Sequence, residues 1–380
     1  MKLPPEVYLN IAQHVERRAD LCVLCLVSQA FRTAAEHVLY RKLDMSEPSS
    51  TIMLCQVLAE QPRLSRLVTA LAIYLDEEGQ LEGDNGGNPQ EQGPSSSPSH
   101  SYWTSISNAL RNTASLRSLR VHLDGGIPIN YAWILDGCGF QLHTFHCDLA
   151  WDVHLVSFLT TQRELSDLYI ADFDGDVPEN VSISTHSLRQ AHTLPRLSIL
   201  DCTFTEAVGV LVPGRPVTHV KTCFSSSNRE TRRVELALLL TDLRLSTQPI
   251  YSLTVADESY TSTFSLELLS SLVRAFGPTP QLSYLGPLAL PVDGGERLIF
   301  YGHLGHLREL RSVELDVSEW EPPPVSFAAL RGLAREIHLY APFITTLVFM
   351  RDLEPTALRA VDGLWRLAGD IGVDTVWRTV

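Results

Sequence analysis

Lysine is nearly missing from this chain of 380 residues: of its 30 basic residues only Lys2, Lys42 and Lys221 are lysines. Charged residues make up 19%, and 44 acids against 30 bases give a formal charge of −14. That balance argues against binding nucleic acid or anionic membranes through net charge. No stretch approaches the ~20 consecutive apolar residues of a membrane-spanning helix. The opening also lacks the basic-then-apolar pattern of a secretory signal, so a cytoplasmic or nuclear location is expected. Seven cysteines fit that compartment. Cys22 and Cys25 form a C-x-x-C pair, but they lie among Leu21, Val23, Leu24 and Leu26 with no second pair nearby, so buried thiols are expected.

Catalytic motifs are missing too. Gly83-Asp84-Asn85-Gly86-Gly87 and Gly294-Gly295 lack the Lys-Ser/Thr or the preceding strand of a phosphate loop, and no Gly-x-Ser-x-Gly elbow occurs. His143 and His146 are three apart on an expected strand, which sends them to opposite faces and prevents a shared metal ion. His303 and His306 are expected on a turn. Asp172, Asp174 and Asp176 alternate as in a calcium loop, yet no acid stands at the distance that a twelve-residue loop requires. No metal, no cofactor and no catalytic residue is expected, and the chain reads as non-enzymatic.

What is present is concentrated at the start. Pro4 and Pro5 suit a helix opening, followed by Val7, Ile11 and Val15 spaced four apart. Asp20 is placed to cap a second helix, in which Leu21, Val23, Leu24, Leu26 and Val27 are apolar nearly all round. Ser28 is placed to cap a third, with Phe31, Ala35, Val38 and Leu39 on one stripe. Three helices this short cannot bury that much apolar surface among themselves. The surplus must face the rest of the chain or a partner.

The order Leu3-Pro4-x-Glu6, Asp20-Leu21, Leu26-Val27-Ser28 and Phe31-Arg32 resembles the F-box, through which substrate receptors of SCF-type ubiquitin ligases dock a Skp adaptor. Leu39-Tyr40-Arg41 resembles the ending of fungal F-boxes, and Phe31 stands where many F-boxes carry Trp. The resemblance implies adaptor contact through Leu3, Pro4, Ile11, Leu24, Val27 and Phe31. Through the adaptor it implies a cullin ligase as partner, together with a protein substrate. In that setting the scarcity of lysine leaves few sites for self-ubiquitination, although a GC-rich coding bias toward Arg is the plainer explanation.

Beyond the helices an apolar-x-x-apolar-x-apolar pattern recurs. It stands at Val68-Leu71-Ile73, Leu116-Leu119-Val121, Leu142-Phe145-Cys147, Leu165-Leu168-Ile170 and Leu197-Leu200-Cys202. It continues at Val217-Val220, Ile250-Leu253-Val255, Leu282-Leu285, Leu310-Val313-Leu315 and Ala334-Ile337-Leu339. The alternating half predicts a strand, and helical stretches are predicted between, at Tyr102–Asn112, His154–Thr161, Glu235–Leu245, Ser265–Phe276 and Phe327–Leu333. Strand and helix repeating every 20 to 33 residues predict an α/β solenoid with a parallel sheet. It resembles the degenerate leucine-rich repeats that follow many F-boxes, with an irregularly filled Asn/Cys slot.

The expected organisation is an F-box over residues 1–45 and a linker helix with the first repeat over 46–76. A Gly-, Pro-, Ser- and acid-rich disordered insertion over 77–101, the repeat arc over 102–356 and a helical cap over 357–380 complete it. Arg229, Arg232 and Arg233 are the candidate substrate contacts, a basic cluster suited to an acidic or phosphorylated motif. Three alternatives stay open: a closed α/β domain, an enzyme built on one, and an adaptor-binding scaffold that never assembles a full ligase.

Overall fold

A computed structural model describes residues 3–75, 100–123, 130–171, 186–190, 192–226, 228–256, 261–277, 281–352, 354–369 and 372–380. The chain divides into two compact units, Met1–Leu188 and Arg189–Val380.

The first unit begins with α1 (Pro5–Gln13), α2 (Arg18–Val27) and α3 (Gln29–Arg41). Pro5 occupies the first turn of α1, where its missing N–H costs nothing. The Ser28 hydroxyl accepts from the Phe31 N–H and caps α3 as expected. Asp20 is not the cap of α2: that helix starts two residues earlier, at Arg18, and Asp20 sits inside its first turn.

From α3 the chain runs directly into β1 (Lys42–Met45), a strand not foreseen from the sequence. Then come α4 (Pro48–Glu60), α5 (Pro62–Ser65), β2 (Ala70–Leu75), α6 (His100–Asn112), β3 (Ser118–Leu123), β4 (Thr144–Cys147), α7 (Val153–Thr161) and β5 (Asp167–Ile170). Each strand pairs parallel with the next in sequence, so Leu43, Leu71, Leu119, Phe145 and Leu168 share one row. These repeat positions all point to the helix side and are buried. The expected insertion over 77–101 lies outside the described residues except at His100 and Ser101, which open α6.

The second unit holds β6 (Ile199–Cys202), α8 (Thr205–Leu211), β7 (His219–Cys223), α9 (Arg229–Leu243), β8 (Ser252–Ala256), α10 (Ser262–Phe276), β9 (Tyr284–Ala289), α11 (Gly294–His306), β10 (Ser312–Asp316), α12 (Phe327–Tyr340) and β11 (Thr346–Arg351). Strands β6 to β11 are again parallel in chain order. Two expectations are corrected here. Ala334-Ile337-Leu339 is not a strand: it belongs to α12, whose buried side is Leu330, Leu333, Ala334 and Ile337. The final parallel strand is β11, carried by Ile344-Leu347-Phe349. His303 and His306 close α11 rather than forming a turn.

The expected helical cap is also largely absent. Residues 354–367 form an antiparallel hairpin, β12 (Glu354–Val361) and β13 (Leu364–Leu367), that continues the sheet beside β11. Its two-residue loop is Asp362-Gly363, with φ of 52° and 75°. Such φ values mark the primed hairpin turns, which Asp-Gly favours. Helix returns only in the four residues of α13 (Val376–Thr379). Trp365 and Trp377 are both buried.

Candidate docking surfaces

The three opening helices share a small core of Ala12, Leu21, Ala34 and Ala35, with Tyr8, Leu9, Val15, Leu24, Cys25, Val38 and Leu39 packed around it. Three alanines among four central residues leave little room for anything larger. The remaining apolar side chains are therefore left outside. Val23 is 61% exposed, Leu26 81% and Val27 60%, all on α2. Leu3, Val7 and Ile11 add exposed apolar surface at and before α1. A helix that is apolar nearly all round would ordinarily be buried. Here one side of α2 serves the small core and the other serves nothing within the described chain.

Of the six expected adaptor contacts, Leu3, Pro4, Ile11 and Val27 are exposed, and Leu24 and Phe31 are half-buried. Phe31 stands edge-on to Tyr8, with ring centroids 4.9 Å apart, so part of its surface is already spent. Leu24 is likewise shared with the small core. Val23 and Leu26, outside those six, are more exposed than Leu3, Ile11 and Val27. Their signal was present in the all-round apolarity of α2. Cys22 is exposed and Cys25 half-exposed, which corrects the expectation that both are buried. Cys147 and Cys202, on strands, are buried, and burial pushes both thiols up to about 12.

The helical opening is fixed to the sheet that follows it. Besides the direct run into β1, Glu36 on α3 accepts from Arg63 on α5 at both guanidinium nitrogens, one of them at 3.0 Å. Within the opening itself, Arg18 at the start of α2 donates to the Leu39 carbonyl of α3 at 3.2 Å. At the start of α4 the Glu47 carboxylate accepts from the Ser50 N–H and from the hydroxyls of Ser49 and Ser50. Those bonds hold it down at about 2.

A second surface lies on the side of β2–β5 away from the helices. Tyr74 stacks on His122 at 5.6 Å, and Tyr169 lies 6.1 Å from His122 and 5.9 Å from His146. Asp148 approaches His122 Nδ1 at 3.3 Å and also accepts from the Leu123 N–H at 3.0 Å. Asp167 Oδ1 stands 3.2 Å from His146 Nε2. This aromatic and imidazole ladder went unnoticed in the sequence because its members lie 20 or more residues apart. The periodic signal that could have found it is the alternation itself, since each member occupies the residue beside a buried repeat position. The acids Asp172, Asp174 and Asp176 fall outside the described residues.

The basic cluster behaves differently from expectation. Arg229 and Arg233, on α9, both converge on Glu267 of α10, with N–O distances of 2.6 Å each and a further Arg233 Nε–Oε2 bond of 3.1 Å. The Arg233 contacts, then those of Arg229, hold the Glu267 carboxyl down at about 2. Arg232 shares a small surface cavity of about 280 Å³ with these residues. Two of the three guanidiniums are thus engaged by a carboxylate of the same unit, leaving a patch that is far less cationic than the sequence implied.

Among the described residues no helix is long and apolar enough to cross a membrane. No curated protein matches the chain. Residues 1–46, which hold α1 to α3 and all of β1, match the F-box-like family model.

Proposed function

We propose that this chain is the substrate-recognition subunit of an SCF-type cullin ubiquitin ligase, acting in the cytoplasm or nucleus. The observation that carries the proposal is the stripe Val23, Leu26 and Val27, exposed on the F-box-like helix α2 although apolar. Burying such side chains against a partner contributes roughly 25 cal/mol for each Å² of apolar surface removed from water. The Skp adaptor is the partner that an F-box-like domain calls for. Leu3, Pro4, Ile11, Leu24, Val27 and Phe31 supply the contact in this reading, extended by Val23 and Leu26.

The strand–helix repeats, read as leucine-rich-repeat-like, offer their strand faces to a protein substrate. The chain performs no bond chemistry in this reading. It raises the effective concentration of substrate lysines near a ubiquitin carrier that the cullin positions. With lysines at only three positions, the receptor offers few acceptors of its own.

The test is adaptor binding by calorimetry, comparing the full chain with Leu26→Asp and Val27→Asp. Both positions are exposed, so the fold should tolerate the change, and circular dichroism melting should match the parent. Loss of a central interface anchor costs about 2 kcal/mol or more, a weakening of roughly 30-fold in Kd. Unchanged affinity in both variants would refute adaptor docking through α2. Adaptor capture without a copurifying cullin would instead favour a scaffold outside the ligase.

A further inference from the structure

Residues 376–380 lie across the strand face of the second unit, on the side away from the helices. Register places Ile199, His219, Ser252 and Tyr284 in one row over β6 to β9. Val376 and Trp377 are buried together with Tyr284, while Ile199 and Val380 pack at the margin. Two polar contacts fasten the segment. Arg378 Nη2 donates to Asp201 Oδ2 at 3.2 Å. His219 Nε2 donates to the main-chain oxygen of Val380 at 3.0 Å, its other nitrogen accepting from the Thr218 hydroxyl at 2.8 Å.

Three features distinguish this contact from ordinary core. A helix of four residues has no stability of its own, so the surface beneath α13 must impose its order. The contact set is one buried aromatic, one ion pair and one main-chain hydrogen bond, which is how a groove grips a short peptide. Finally, the hydroxyl of Ser252, fully buried in the middle of the row, has no hydrogen-bond partner among the described residues. A native core rarely leaves such a group unsatisfied, because its lost hydration is not repaid. The segment covers the row without matching it completely.

We propose that this row is a peptide-binding site occupied in cis by residues 376–380. Its occupant in trans is a protein segment bearing an aromatic residue followed by arginine, with a hydrogen-bonding group over Ser252. Trp377 and Arg378 then act as a built-in competitor that a better-matched segment displaces. The inference takes from the receptor reading only the idea that a strand face holds substrate. Its test contains no adaptor, so either can fail without the other.

The probe is a fluorescent synthetic peptide with the sequence of residues 372–380, titrated by anisotropy into the full chain. In the parent chain the tethered copy competes and binding is weak. Arg378→Glu faces Asp201 with a like charge and frees the row, so it should bind the probe at least 10-fold tighter than the parent. Asp201→Arg repels the arginine of the probe and should bind it no better than the parent. Trp377→Ala provides a second way to free the row, with the same gain expected. Were Arg378→Glu and Trp377→Ala to bind no tighter than the parent while melting like it, the proposal would be overturned. Failure of both variants to fold would identify residues 376–380 as plain core and overturn it equally.

Discussion

The two units are built from the same repeat, yet they use the strand face in opposite ways. In the first, the outward residues of β2 to β5 form an aromatic and imidazole ladder, with His122 and His146 each 33% or less exposed and each beside an aspartate. In the second, the corresponding side of β6 to β9 is covered by Val376 and Trp377 of the same chain. A strand–helix repeat dictates only that alternate residues face the helices. The other set is free to vary, and here it varies from a partly open ladder of rings to a row covered by a segment of the same unit. The scaffold is therefore one thing and the specificity of each face another.

The sharpest way to break this division is to cross from one face of a strand to the other. Phe145 on β4 is fully buried and meets the ring of Phe158 at 5.5 Å, whereas its neighbour His146 belongs to the outward ladder. Phe145→Ala should cost about 3 to 5 kcal/mol in urea unfolding, through lost transfer energy and a residual cavity. His146→Ala should cost about 1 kcal/mol or less, in the range of a surface change. Equal losses at the two positions would mean that the faces are wrongly assigned.

A smaller effect separates the two faces by pH. His219 is held below its ordinary value, first by burial and also by Arg378, which outweigh the opposing bond to the Val380 oxygen. Arg378 is in turn paired with Asp201. Because the docked state takes up the His219 proton less readily than the released state, docking should be intact above the ordinary value of about 6.5. It should weaken as pH falls from there through the lowered value. Hydrogen exchange over residues 372–380 should accordingly speed up between pH 7 and pH 5, beyond the intrinsic pH dependence of exchange. The same residues in His219→Gln should show no such added change.

The smallest effect concerns the arginine cluster. Glu267→Gln removes the shared acceptor of Arg229 and Arg233, yet the pair is solvent-screened and should cost no more than about 1 kcal/mol. It should also increase binding of a phosphorylated test peptide to this patch. No gain in binding would remove the cluster from the candidate substrate contacts.

Where the sequence was readable, the reason is periodicity. Every apolar-x-x-apolar-x-apolar match from Val68 to Leu315 falls on a strand, because a strand buried on one face shows its period directly. The misses share a cause as well. Ala334, Ile337 and Leu339 fit the strand spacing, but an apolar pair three apart fits a helix equally, and α12 buries Leu330, Leu333, Ala334 and Ile337 at that spacing. Leu358, Val361, Leu364 and Trp365 mimic a helical stripe in the same way. The Asp362-Gly363 pair between them is a hairpin signal that should have prevailed. Strand β1 escaped notice because four residues directly after a helix give too short a window for any period to show.

By itself the order of residues determined the strand–helix alternation and the surplus of apolar side chains at the start. These are local properties, set by spacing within a few turns of chain. Only the tertiary structure decided which surplus residues stay exposed, that Glu267 engages two of the three arginines, and that Trp377 comes to rest on Tyr284. Those pairings join residues from about 30 to about 90 positions apart, and no local period encodes which distant side chain will meet another.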